Sequence, residues 1–203
     1  MALVKICGVT NVADAETCIA AGAESIGLNF VGSSPRVVTI EEARTITSAV
    51  RGRIRVVGVV AHLTVDAMAR LRDDVGLDAL QLHGDESPND LAALLPNAYK
   101  AVRIATLADV EHARAFGGDD LLLDAKSPKG LGGTGAVMDW TLVTDIAKER
   151  KITLAGGLTP DNVQAAILIV APRRVDVASG VEDARDPRKK DPAKVRAFVT
   201  AAG

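Results

Sequence analysis

ITLAGGLTPDNVQAAI, at residues 152–167, is an apolar run with a β-branched start, then a glycine pair, then a helix-period segment that Thr159 caps and Pro160 opens. It reads as one strand–turn–helix unit, and units of this kind recur along the chain about every 25 residues. Eight strands are predicted: LVKIC (3–7), SIGLNF (25–30), RVVGVVA (55–61), ALQLHG (79–84), YKAVRI (99–104), DLLLDA (120–125), ITLAGG (152–157) and RVDVASG (174–180). Thr39 before IEEAR and Thr64 before VDAMARL mark further helix starts. DPAKVRAFVTAA at 191–202 places Val195, Phe198 and Val199 on one face, so a last helix is expected to close against the first. Parallel crossovers in series either close into a barrel or spread into a doubly wound open sheet. A nucleotide-binding open sheet carries its phosphate loop after the first strand, where this chain has CGVTNVADA at 7–15. Its glycine-rich turns instead follow the seventh and eighth strands, where barrels bind phosphate. The predicted fold is α/β, a single (β/α)8 TIM barrel forming one catalytic domain over residues 1–203.

Composition agrees with that reading. The 203 residues are 48% hydrophobic but include only 3 Phe, 1 Trp and 1 Tyr, so Ala, Val, Ile and Leu must fill the core, as in close-packed parallel sheets. Lys and Arg number 24 against 26 Asp and Glu, for a net charge of −2 with no basic run, which argues against a nucleic-acid partner. The opening ALVKIC lacks a charged leader, and no apolar run approaches the roughly 18 residues of a membrane span, so a cytoplasmic protein is expected. Cys7 and Cys18 are expected to be free thiols. His62 and His112 have no metal-ligand spacing to each other or to either cysteine, so no metal is expected. Ile46 and Val50 are candidates for an exposed helix face in a homodimer, with a monomer equally open.

Barrel chemistry sits at the C-terminal ends of the strands. Period-two alternation puts Lys5 and Cys7 on one side of the first strand, and Gln81 and His83 on one side of the fourth. A thiol at the mouth serves as a base if Lys5 favours the thiolate; otherwise Cys7 is a small buried hydrophobe. Asp124 ends the run LLLD, where a carboxylate is costly without solvent, ligand or partner, and it is the candidate acid; the plainer alternative is a cap or an ion pair with Lys126 or Lys129. AGG at 155–157, ASG at 178–180 and GGTG at 132–135 each let backbone approach an anion, or simply turn tightly. Arg36 offers a two-pronged grip on a carboxylate, or a surface pair with Glu41 or Glu42. His83 orients a ligand group or bonds a neighbouring carboxylate.

KICGVT (5–10), SPR (34–36), LDALQLHGDE (77–86), LLLDAK (121–126) with GGTG (132–135), LAGGLTPDNV (154–163) and VDVASGVE (175–182), in this order and at these strand ends, resemble the phosphoribosylanthranilate isomerase family over nearly the whole chain. The resemblance implies a cofactor-free isomerase of tryptophan biosynthesis acting on the phosphosugar N-(5-phosphoribosyl)anthranilate by an Amadori rearrangement. It also implies Asp124 as general acid at the furanose oxygen and Cys7 as general base at the sugar C2′. Arg36 would hold the anthranilate carboxylate, and Gly156, Gly157, Ser179 and Gly180 the phosphate, with Lys5, Gln81 and His83 further substrate contacts. Three stretches depart from the family pattern: NFVGSSPR at 29–36 lacks the usual aromatic and lysine, VVAHL at 59–63 lacks an asparagine, and EDARDPRKKDPAK at 182–194 is longer and more charged. A histidine-pathway isomerase would carry an aspartate where Cys7 stands, and a silent binding barrel has no reason to keep Cys7, Asp124 and Arg36 together.

Overall fold

Eight parallel strands hydrogen-bond in chain order and the last returns to the first, closing a barrel in the computed structural model, which describes residues 2–125 and 139–203. The strands are β1 (Leu3–Cys7), β2 (Ser25–Asn29), β3 (Arg55–Val60), β4 (Ala79–Leu82), β5 (Ala98–Ile104), β6 (Asp120–Ala125), β7 (Lys151–Ala155) and β8 (Arg174–Val177). Around them run α1 (Val12–Ala21), α2 (Ile40–Val50), α3 (Val65–Val75), α4 (Pro88–Leu94), α5 (Leu107–Arg114), α6 (Thr144–Glu149), α7 (Val163–Val170) and α8 (Pro192–Ala202). All eight predicted strands are present. The predicted ends at Gly157 and Gly180 overrun, because Gly156 and Gly157 take φ of 91° and 65° and turn the chain after Ala155, while Ser179–Val181 coils into a 3-10 turn.

Alternation divides each strand between two cores. Outward residues such as Val4, Ile6, Ile26, Leu28, Leu80 and Leu82 join the layer beneath the helices, while Val57, Ala79, Tyr99, Ala101, Leu122 and Ala155 form a separate cluster inside the barrel. Each buried aliphatic side chain contributes about 1.5–3 kcal/mol, so this double layer dominates stability. At the N-terminal end of the bore Arg174 is tied to Glu24 at 3.0 Å and to Thr153 at 3.3 Å, which satisfies a guanidinium that would otherwise be costly to bury.

Thr39 caps α2 through a reciprocal box with Glu42, and Thr64 caps α3, as read from sequence. The start at Thr159 and Pro160 is displaced: regular helix begins at Val163, because the Asn162 side chain accepts from Thr159 N–H and donates to the Gly157 carbonyl, making a turn of residues 157–162. On α8, Asp191 caps the first turn and Val195 and Phe198 are buried, with α1 packed alongside. Ile46 and Val50 are not surface residues: at 1% and 0% exposure they pack into the core on the inner face of α2. Apolar exposure falls elsewhere, on Leu107 and on Leu168 of α7. Among the described residues no helix is long and apolar enough to cross a membrane.

Candidate active site

Parallel strands deliver their C-terminal ends to one rim, and the inward set at that rim is Lys5 and Cys7 on β1, Gln81 with His83 just past β4, Asp124 on β6 and Asp176 on β8. Room for the first two comes from β2. Gly27 stands in register with Cys7, and a Cβ there would lie 2.9 Å from the Cys7 sulfur and 3.1 Å from Lys5 Nζ. Thiol and ammonium therefore meet over the bare face of one glycine.

Lys5 is 1% exposed and donates to Asp176 Oδ1 and to Gln81 Oε1, both at 3.0 Å. Tyr99, whose ring belongs to the inner cluster, donates its hydroxyl to the same Gln81 oxygen at 3.1 Å. Gln81 Nε2 lies 3.1 Å from His83 Nδ1, and His83 Nε2 lies 3.3 Å from Asp124 Oδ2. Lys5 and Gln81, expected as substrate contacts, are thus enclosed and occupied with each other. At 1% exposure each offers a ligand no surface, because a charged side chain in the bore must spend its donors on internal partners. His83 and Asp124, about a quarter exposed, do reach the mouth.

Electrostatics around the thiol also differ from expectation. Burial pushes the Cys7 thiol up; the Lys5 charge and its hydrogen bond oppose the shift but do not cancel it, and Asp176 adds to it. Lys5 favours the thiolate in sign, yet its charge is largely answered by Asp176. Burial alone would disfavour the Lys5 ammonium, but the Asp176 carboxylate, by its charge and its hydrogen bond, outweighs it and holds that ammonium charged.

Arg36, in the loop after β2, forks onto Glu182 with Nε on Oε1 and Nη2 3.1 Å from Oε2, so its partner is neither Glu41 nor Glu42. Glu182 also faces Lys190 Nζ at 3.4 Å, and Lys190 is 3% exposed. One carboxylate serves two cations. The long charged connection noted in the sequence is the cause. Glu182 and Lys190 form an antiparallel bridge, Thr10 donates to the Arg188 carbonyl, and Asp14 accepts from Lys190 N–H at 2.9 Å, so the segment staples the loops after β1, β2 and β8.

The turns carrying Gly156–Gly157 and Ser179–Gly180 are brought together: a Cβ on Gly180 would stand 2.1 Å from the Leu158 carbonyl oxygen. Lys126, Lys129 and GGTG at 132–135 lie outside the described residues. Sequence reading missed Asp176, Glu182, Lys190 and Tyr99. Inward parity two residues after Arg174 pointed to Asp176; the others needed the fold. A hollow of about 660 Å3 among Leu3, Glu149, Arg150, Lys151 and Arg173 lies at the opposite, N-terminal end, away from Cys7, His83 and Asp124. Both cysteines are unbridged, and among the described residues no three His, Cys, Asp or Glu side chains gather closely enough to share a metal.

Titratable side chains converging on the C-terminal rim of a closed eight-strand barrel place the molecule in the class of (β/α)8-barrel enzymes. The sequence profile of the N-(5′-phosphoribosyl)anthranilate (PRA) isomerases matches residues 4–201, and the chain belongs to that family of isomerases. It is 42% identical to the N-(5′-phosphoribosyl)anthranilate isomerase of Geotalea daltonii, over 100% of this chain and 97% of the relative. The crystal structure of phosphoribosyl anthranilate isomerase from Thermotoga maritima superposes with a TM-score of 0.91 at 36% identity, covering 100% of this chain and 98% of the other. A second solved isomerase, in complex with reduced 1-(o-carboxyphenylamino)-1-deoxyribulose 5-phosphate, gives 0.87 at 34% identity, with 100% and 98% covered.

Proposed function

We propose that this single-domain barrel converts N-(5-phosphoribosyl)anthranilate to 1-(2-carboxyphenylamino)-1-deoxyribulose 5-phosphate in cytoplasmic tryptophan biosynthesis, without a cofactor. The observation that carries the reading is the arrangement of Cys7 and Asp124 on one rim, on strands three steps apart round the eight-strand ring, in a chain whose solved relative holds the reduced product. Asp124 gives its proton to the furanose oxygen as the C1′–O bond breaks and the anilino nitrogen forms C=N. The Cys7 thiolate then takes the C2′ proton, the C–H pair becomes C1′=C2′ while the C=N π pair returns to the anilino nitrogen, and the resulting enol-amine tautomerises to the ketose. Acid and base on opposite walls suit a substrate attacked at two atoms. Arg36, held by Glu182, grips the anthranilate carboxylate with its remaining N–H groups. The phosphate rests on backbone N–H groups of the abutting turns at Gly156–Gly157 and Ser179–Gly180, which anchors the sugar away from the reacting carbon.

Turnover is read from loss of the substrate's fluorescence; the purified chain is expected to consume N-(5-phosphoribosyl)anthranilate, and an inert chain would end the proposal. Gly180→Ala should force the two turns apart and raise KM on the order of tenfold or more with a smaller change in kcat, since a 1 Å misplacement is costly. Unchanged KM would remove the phosphate from these turns. Because the thiol is raised, the reactive thiolate is a minor form at neutral pH and grows as pH rises. Alkylation of Cys7 in a Cys18→Ser chain is expected to quicken about tenfold per pH unit through neutrality and to level only above about pH 8.5. A rate already level at neutral pH would contradict this.

A further inference from the structure

The hydrogen bonds beneath the mouth run in one direction only, and that direction determines where a proton sits beside Asp124. Lys5 Nζ has donors and no acceptor, so the Gln81 atom 3.0 Å away must be the amide oxygen, and the Tyr99 hydroxyl reaches the same atom. With Oε1 committed to two donors, the amide cannot turn over without placing its NH2 against an ammonium. Its Nε2 therefore donates to His83 Nδ1. A neutral imidazole whose Nδ1 accepts carries its hydrogen on Nε2. That Nε2 is buried, has no other hydrogen-bond partner among the described residues, and lies 3.3 Å from Asp124 Oδ2, off the line of a straight hydrogen bond.

We propose that Gln81, pinned by Lys5, is a positioning residue for Asp124: it commits His83 to the Nε2–H tautomer, which orients the carboxylate for proton transfer. The proposal rests on Asp124 being the acid. Once it straightens onto Oδ2, the Nε2–H leaves Oδ1 as the oxygen that carries and delivers the proton. His83 aligns Asp124 in this scheme and exchanges no proton with the substrate. Catalytic hydrogen bonds that are bent in the empty site commonly straighten when substrate closes over it.

The test uses the full chain labelled with 15N-histidine, whose long-range proton–nitrogen correlations distinguish the two tautomers; His62→Gln and His112→Gln variants assign the three rings. In the unmodified chain His83 should show hydrogen on Nε2. In Gln81→Met the ring should shift toward Nδ1–H, and kcat should fall about ten- to a hundredfold with KM within about threefold, since orientation and not affinity is lost. If that variant does not fold, Gln81→Glu keeps the shape, retains an acceptor for Lys5 and offers His83 no amide N–H, and the same two changes are expected. Hydrogen on Nδ1 in the unmodified chain, or a Gln81 variant with unaltered kcat, overturns the proposal. Asp124→Asn measured alongside separates the two claims. If it stays active, the acid assignment falls and takes this proposal with it; if it is inactive while the Gln81 variants turn over normally, this proposal falls alone.

Discussion

Asp124→Asn and Cys7→Ala are each expected to lower kcat by roughly 10²–10⁴-fold, the usual share of one general acid or base, while the barrel unfolds at nearly the same denaturant concentration. Asn keeps the shape of the carboxyl and can still face His83 Nε2, 3.3 Å from the present Oδ2, but it has no proton to give to the ring oxygen. Ala at position 7 leaves the small space that Gly27 opens toward the sulfur and removes the acceptor for the C2′ proton. Neither residue is proposed to grip the substrate, so KM should move by no more than a few fold. The double variant should be little worse than the poorer single, because acid and base act in one coupled sequence. Steady-state fluorescence kinetics with circular dichroism on the same samples decides the matter. A variant with near-normal kcat would remove that residue from the mechanism.

Asp176→Ala is expected to be the most destabilising single change in the bore, at about 3–5 kcal/mol. It leaves Lys5, 1% exposed, with its charge uncompensated and only the Gln81 amide oxygen as a partner at the same 3.0 Å. For a chain of this length that corresponds to roughly 2–4 °C of Tm per kcal/mol. Replacing both partners, Lys5→Met with Asp176→Leu, should recover much of the loss, because the cost lies in the orphaned ammonium and not in the absent pair. Urea denaturation of the single and double variants tests this directly. A single variant as stable as the parent would mean that water reaches Lys5.

The strand pattern was legible because a period of two and a period of 3.6 leave separate marks on a local stretch, and RVVGVVA or DLLLDA has only one sensible reading beside a capped helix. Strand ends were less legible. Gly156 and Gly157 carry apolar neighbours that look like strand, yet their positive φ turns the chain, and φ is a choice glycine leaves open. The placements of Cys7 and Asp124 on the rim were readable from the same periodicity plus the rule that barrels work at one end. The role of Lys5 was half readable: parity put it beside Cys7, but burial set its partners.

What the sequence determined by itself was local: eight strand–helix units, inward and outward faces, caps at Thr39 and Thr64, and chemical groups at strand ends. What only the tertiary structure decided was who meets whom across long separations in the chain. Arg36 with Glu182 and Lys5 with Asp176 span 146 and 171 positions, and no spacing rule reaches that far. The physical reason is closure. Once β8 bonds to β1, side chains that never approach each other along the chain share one bore and one mouth, and each buried charge there must find its complement.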